Sequence, residues 1–167
     1  MITIPWKNYT PKHPDGVCEA ATSIWLSRIC KNGIDEADKL TALQCDDLQE
    51  QVESGEYTWA ADLLTLLGGE QKAGFNAFEG PNINSREDMK KALDSMKNND
   101  FFIISATNGW GDGHSVAGYK KDEIYYFFDP NTAIYIAEAK QIDALAIQIC
   151  ENLAPWHDKA LRKGYMK

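Results

Sequence analysis

Residues 101–137, FFIISATNGWGDGHSVAGYKKDEIYYFFDPNTAIYIA, contain the four segments that decide the fold. The first, FFIISA, is a short apolar run bounded by turn-forming residues, which is typical of a buried strand. HSVAGY, EIYYFFD and AIYIA follow at close intervals and are rich in aromatic and β-branched residues. Strands joined by such short connections pair antiparallel. We therefore predict an antiparallel sheet over residues 100–137.

The residues before this stretch have mainly helical character. Helices are predicted over residues 17–31, 35–52, 57–67 and 85–97. The first three end at Asn-Gly, Ser-Gly and Gly-Gly, and the fourth begins at Ser85, with Asp88 in the position of a capping box. Residues 73–83 fit a short strand followed by a loop.

The two ends of the chain complete the predicted architecture. Residues 1–16 carry three prolines and are expected to form an irregular arm, and residues 138–163 return to a helical pattern broken near Pro155. Helices first, then a sheet, then closing helices is the order of an α+β fold. The 167 residues suit one domain, with 17–97 mainly helical.

Charge and hydropathy exclude several classes of function. The formal net charge is −8, which argues against binding to a nucleic-acid backbone or to an anionic lipid surface. No apolar run approaches the roughly 18 residues of a membrane span. The first residues show no Sec-type signal, so any export is expected to use another route.

A histidine and an aspartate occupy the two central strands of the predicted sheet. If the hairpin tip is Lys121-Asp122, the numbers of facing residues total 243, and His114 faces Asp129. Directly opposed side chains lie close enough for an imidazole–carboxylate hydrogen bond, which leaves the other ring nitrogen free as a base. A surface His–Asp pair, or an Asp129 that only forms the Asp-Pro-Asn turn, is the structural alternative.

One cysteine stands where a helix would activate it. Cys18 follows Gly16-Val17 at the start of the first predicted helix, and a helix N-terminus stabilises a thiolate. A protonated His114 beside it would stabilise the thiolate further, and the backbone N–H of Cys18 would meet a developing oxyanion. Trp25, two turns further along the same face, is interpreted as core packing behind the nucleophile.

The remaining cysteines fit neither catalysis nor a metal site. Cys30 lies near the end of the first helix, and Cys45 and Cys150 lie in segments expected to be buried. Four cysteines are too few for a disulfide scaffold, and no C-x-x-C or H-E-x-x-H is present. We expect no metal and no cofactor.

Three motifs in order, GVCEAATSIWL, GHSVAGY and YYFFDPN, resemble the YopT/AvrPphB family of bacterial effector cysteine proteases within the papain-like superfamily. The shared residues are Gly16, Cys18, Ser23 and Trp25 in the first helix, His114 at the start of a strand, and Asp129-Pro130-Asn131 at the end of the next. The resemblance implies a triad of Cys18, His114 and Asp129, and a papain-like core in which the cysteine helix packs on the C-terminal sheet.

The sequence departs from the papain-like pattern upstream of the nucleophile. The Gln or Asn that usually precedes the cysteine by a few residues and stabilises the oxyanion is missing, and Asn8 or His13 would have to replace it. Trp110 and Gly113, in the glycine-rich loop before His114, are candidates for substrate contact.

The predicted activity is that of a thiol hydrolase that forms an acyl-enzyme on a peptide or amide bond. The leading hypothesis is that the protein is a bacterial effector or toxin protease. Alternatives are a glutamine deamidase or transglutaminase, a peptidoglycan amidase, and a non-catalytic binding or immunity protein on the same frame. The expected partners are a protein or peptide substrate and a cognate inhibitor or immunity protein. The expected location is the bacterial cytoplasm, followed by secretion or injection.

Overall fold

A computed structural model describes residues 1–76, 82–110 and 112–167. Part of the segment predicted as a strand and loop, residues 77–81, lies outside the described residues. Seven strands form one antiparallel sheet in the order β1-β6-β5-β4-β3-β7-β2. The strands are β1 (Ile2–Pro5), β2 (Ala73–Phe75), β3 (Asp100–Thr107), β4 (Gly113–Lys121), β5 (Ile124–Asp129), β6 (Ala133–Glu138) and β7 (Asp158–Met166).

Helices cover both faces of this sheet. The helices are α1 (Cys18–Asn32), α2 (Ile34–Ala37), α3 (Asp46–Glu53), α4 (Trp59–Leu67), α5 (Arg86–Asp94) and α6 (Ile142–Leu153), with 3₁₀ turns at Ala42–Cys45 and Ala139–Gln141. The core on one face is built around α1 and includes the fully buried Trp25, whose ring lies 5.4 Å from Phe128. The core on the other face is built from α5 and α6. The mixed helical and antiparallel architecture confirms the α+β prediction, and Trp25 packs in the core as interpreted.

Several helix boundaries follow the local signals. α1 begins at Cys18 and ends before Gly33, whose φ of 84° suits glycine. α5 begins after Ser85, whose Oγ accepts a hydrogen bond from the N–H of Asp88 at 3.1 Å. The single helix predicted over residues 35–52 is wrong: α2, a 3₁₀ turn and α3 replace it. Thr41 caps the 3₁₀ turn and forms a capping box with Gln44, which starts a new helical segment.

Both chain ends are strands where the sequence predicted other structure. Residues 2–5 lie in the predicted irregular arm, yet β1 pairs with β6 along the edge of the sheet. Edge position explains why Pro5 is tolerated there. Residues 158–163 belong to the segment predicted as helix, yet they lie in β7, which is placed between β3 and β2. The sheet therefore includes strands outside the predicted range of residues 100–137.

The β4–β5 hairpin has a different register from the predicted one. Lys121 pairs with Ile124 and Ala117 with Phe128, so facing numbers total 245. Asp122 and Glu123 form the two-residue turn, with φ of 51° and 67°, the left-handed geometry of a type I′ turn. The prediction that His114 directly faces Asp129 is therefore wrong. Because the shift is two residues, both side chains keep their predicted face and become diagonal neighbours.

Candidate active site

Cys18 is the first residue of the helix α1. The arm before it is fixed by Asn8, whose Oδ1 accepts a hydrogen bond from the N–H of Val17 at 3.0 Å. Gly16 adopts a φ of +117°, and a Cβ there would lie only 2.7 Å from Nδ2 of Asn8. Glycine is therefore required at the turn that delivers Cys18 to the helix start.

The same helix is tied to the strand that carries His114. Oγ1 of Thr22, one turn after Cys18, lies 3.1 Å from Oγ of Ser115, and both side chains are buried. This hydrogen bond joins α1 to β4 immediately beside His114. The start of α1 is consequently held against the end of the sheet, where Cys18 and His114 line the same cleft and the thiol is close enough to help raise the pKa of the imidazole.

His114 and Asp129 form a buried pair. Nε2 of His114 lies 2.6 Å from Oδ1 of Asp129, and each side chain is only 2 % exposed. Nδ1 is thereby left free of Asp129, with Nδ2 of Asn131 at 3.4 Å. A carboxylate bound to one ring nitrogen fixes the tautomer and orientation of the imidazole.

Hydrogen bonds hold both oxygens of the Asp129 carboxylate in place. Oδ1 also accepts from the backbone N–H of Asn131 at 3.0 Å, and Oδ2 accepts from Nδ2 of Asn152 at 3.1 Å. Asn152 reaches the site from the last turn of α6. Donors to both oxygens hold the carboxylate in a fixed orientation beside His114.

The environment of His114 favours its protonated form. Burial lowers the pKa of His114, but the hydrogen bonds to Asp129 and Cys18 outweigh it and raise the pKa from 6.5 to about 9. Trp156 stacks on the imidazole, with ring centroids 5.5 Å apart and planes inclined by 17°. The indole covers one face of the ring, which excludes water from the His–Asp hydrogen bond.

A cleft of about 440 Å³ opens beside the thiol. Its lining residues are Cys18, Glu19, Gln49, Ser105, Ala106, Thr107, Gly113, His114 and Ser115. Burial raises the pKa of the Glu19 carboxyl, which is the one acidic group among them. Apart from His114, no described residue that lines the cleft is basic. A substrate chain bound there would therefore contact a polar surface with one carboxyl group.

The two predicted oxyanion donors occupy different environments. Asn8 lies beside Asn131, and its Nδ2 donates to Oδ1 of Asn131 at 2.5 Å. His13 is buried in a second pair, with its Nδ1 at 2.8 Å from Oδ1 of Asp46. Hydrogen bonds from Thr10 and His13 lower the pKa of Asp46. His13 therefore anchors the arm to α3 and does not line the cleft.

Of the two predicted substrate contacts, Gly113 lines the cleft and Trp110 does not. Trp110 lies in the loop before β4 and is 88 % exposed. The N–H of Trp110 donates to Oδ1 of Asn108 at 2.9 Å, which shapes the loop locally. Trp110 thus offers a large, exposed aromatic surface in the loop that precedes Gly113.

The other three thiols are held in unreactive surroundings. Burial raises the pKa of Cys30 and of Cys150, and raises that of Cys45 to about 12. All four cysteines are free. Only Cys18 combines a thiol with a histidine contact and a cleft in the described part of the chain.

The fold is similar to that of the Pseudomonas avirulence protein AvrPphB. The two chains have a TM-score of 0.59 at 10 % sequence identity, over 98 % of this chain and 96 % of the AvrPphB chain. Likeness at this identity shows the fold alone. No protein-family model matches the chain, and no curated protein matches it in sequence.

The sequence alone did not indicate several residues of the site. Asn152 and Trp156 follow the sheet in the chain and reach Asp129 and His114 only because α6 folds back over the sheet. Gln49 lies in α3 and lines the cleft beside Cys18. Asn131 belongs to the Asp-Pro-Asn motif, but the motif alone does not indicate that its backbone N–H binds Asp129.

No helix among the described residues is long and apolar enough to cross a membrane.

Proposed function

We propose that the protein is a papain-like cysteine hydrolase that cleaves a peptide bond of a protein substrate through an acyl-enzyme. The observation that carries this proposal is the contact of Cys18, at the start of α1, with a buried His114 whose other nitrogen lies 2.6 Å from Asp129. The similar fold of an avirulence protein and the three motifs shared with the YopT/AvrPphB family also support it.

In the proposed reaction, the proton lies on Nδ1 of His114, and the thiolate of Cys18 attacks the carbonyl carbon of the scissile bond. A C–S bond forms while the carbonyl π electrons move to oxygen. The C=O bond then re-forms, the C–N bond breaks, and the leaving amine takes the proton from His114. A water molecule gives a proton to His114 and attacks the thioester, which releases the acid and returns the thiolate beside the protonated His114.

Asp129 has an orienting role in this scheme. It holds the imidazole with Nδ1 toward the sulfur and stabilises the imidazolium that forms. The hydrogen bonds from Asn131 and Asn152 keep the carboxylate in position, and Trp156 shields the pair.

We further propose that the protein acts as a bacterial effector that is delivered into another cell. Its substrate would be a protein of that cell, and Trp110 and Gly113 would contact the bound chain at the cleft entrance. The fold shared with an avirulence protein supports this setting.

Mass spectrometry of treated lysates tests the reaction type. Wild-type protein and Cys18→Ala are incubated separately with a eukaryotic cell lysate and with purified peptidoglycan. We expect new peptide termini in the lysate with the wild type and none with Cys18→Ala. A gain of about 1 Da at glutamine without cleavage, release of muropeptides, or no difference between the two proteins would each contradict the proposed protease.

A further inference from the structure

The first turn of α1 presents backbone donors that the folded chain does not use. Among the described residues, the N–H groups of Cys18 and Glu19 have no acceptor. The N–H of Val17 donates to Asn8, and that of Ala21 donates to the carbonyl oxygen of Val17 at 2.8 Å. Free N–H groups at a helix start carry the positive end of the helix dipole. This positive end therefore lies next to the sulfur of Cys18.

A buried amide stands beside these donors. Gln49 is only 8 % exposed, and it lines the cleft together with Cys18 and Glu19. Its Oε1 accepts a weak hydrogen bond from the N–H of Ala20 in α1 at 3.4 Å. This hydrogen bond identifies which amide atom is the oxygen, and Nε2 therefore points away from the N–H of Ala20. Nε2 has no hydrogen-bond partner within residues 1–76, 82–110 and 112–167.

Nε2 is not among the solvent-inaccessible unpaired atoms of the described residues, so it stays accessible from the cleft that Gln49 lines and can donate to a ligand there. Cys18 lines the same cleft, so a substrate carbonyl that approaches its thiol would also approach this amide. Asn8 is less suited, because its Oδ1 and Nδ2 are already bound to Val17 and Asn131, and it does not line the cleft. His13 is occupied by Asp46.

We propose that Gln49 is the side-chain donor of the oxyanion hole, acting together with the backbone N–H of Cys18. This inference rests on the acyl-enzyme function proposed above. As the C–S bond forms and the carbonyl π electrons move to oxygen, Nε2 of Gln49 and the N–H of Cys18 donate to the negative oxygen. They release it when the C=O bond re-forms and the leaving group departs. The residue that a papain-like chain usually places before its cysteine is thus supplied from α3.

Two small electrophiles separate this role from activation of the thiol. Iodoacetamide alkylates a thiolate by direct displacement, with no oxyanion. p-Nitrophenyl acetate acylates the same sulfur through a tetrahedral oxyanion. The two second-order rates at Cys18 are measured by intact mass and by p-nitrophenol release. The proteins are the wild type, Gln49→Ala, Gln49→Glu, Asn8→Ala and Gln51→Ala. Gln49→Glu retains an acceptor for Ala20 but lacks the amide donor, and Gln51 is an exposed control on the same helix.

We expect the ratio of acylation to alkylation to fall about 100-fold in Gln49→Ala and Gln49→Glu, and to stay at the wild-type value in Asn8→Ala and Gln51→Ala. An unchanged ratio in both Gln49 variants would overturn the inference, as would a fall in Asn8→Ala alone. Equal loss of both rates in the Gln49 variants would also overturn it, because it would make Gln49 only a helix cap. If Cys18 of the wild type is not alkylated selectively, the acyl-enzyme proposal itself fails.

Discussion

At the scale of the residue, His114 makes the stability of the protein depend on pH. Its pKa in the folded protein, about 9, lies above the ordinary value of 6.5, so folding favours the protonated ring. The contribution is fully present below pH 6.5 and is lost as the pH rises through about 9. We expect the free energy of unfolding to decrease by on the order of 3 kcal/mol over this range.

The matched variant is Asp129→Asn, which removes the charge that holds the proton on His114. Urea unfolding at a series of pH values between 6 and 10 measures both proteins. The wild type should lose stability more steeply than Asp129→Asn, and the two curves should converge at high pH. Parallel curves would show that the His–Asp pair does not control the proton.

Each residue of the proposed triad carries a local signal in the sequence. Cys18 follows a glycine at a helix start, and His114 and Asp129 share a face of the sheet whether facing numbers total 243 or 245. The supporting residues have no such signal. Gln49, Asn152 and Trp156 belong to elements that pack onto the site, and an ordinary glutamine in a helix does not reveal which element it will face.

At the scale of the element, the turn before α1 affects both the stability of the protein and the position of Cys18. Gly16→Ala introduces a side chain at a φ of +117° and forces it against Asn8, at 2.7 Å from Nδ2. Gly33, at the other end of the same helix, has a φ of +84° but nothing within 4 Å of the Cβ position. Each substitution should cost about 1–3 kcal/mol of stability through backbone strain.

Only Gly16→Ala should also change the chemistry. Displacement of Asn8 moves the residues that lead into Cys18, so we expect the iodoacetamide rate of Cys18 to drop about 10-fold or more. Gly33→Ala should alkylate at the wild-type rate. Urea unfolding and intact mass measure the two effects. Equal alkylation rates in both variants would contradict the positioning role of the arm.

Element boundaries in the second half of the chain show where local pattern fails. β7 has the sequence DKALRKGYM, whose Ala, Leu, Lys and Arg favour helix. It is nevertheless a strand, because β3 offers it a complete antiparallel ladder from Asp100 to Thr107. The sequence predicts the wrong residues for the β4–β5 turn for a related reason. Asp122 and Glu123 both adopt left-handed backbone angles, which neither residue type favours. In both cases tertiary pairing outweighs local preference.

At the scale of the whole molecule, the candidate site joins distant parts of the chain. The arm and α1 provide Cys18, the central strands provide His114 and Asp129, and the segment after α6 covers the imidazole with Trp156. The α+β order could be read from the sequence because it depends on which segments are helical and which are extended. The strands at both chain ends, β1 and β7, join the sheet by pairing with residues far away in the sequence, and no local pattern specifies such pairing.

The alkylation rate of Cys18 tests this assembly most directly. The wild type, His114→Ala and Asp129→Asn are treated with iodoacetamide at pH 6, and labelling of each cysteine is followed by peptide mass spectrometry. An ordinary thiol reacts slowly there, and burial makes Cys30, Cys45 and Cys150 slower still. We predict that Cys18 reacts at least ~10-fold faster than the other three in the wild type, and that His114→Ala loses this advantage. Equal, slow labelling of all four cysteines in the wild type would contradict the triad.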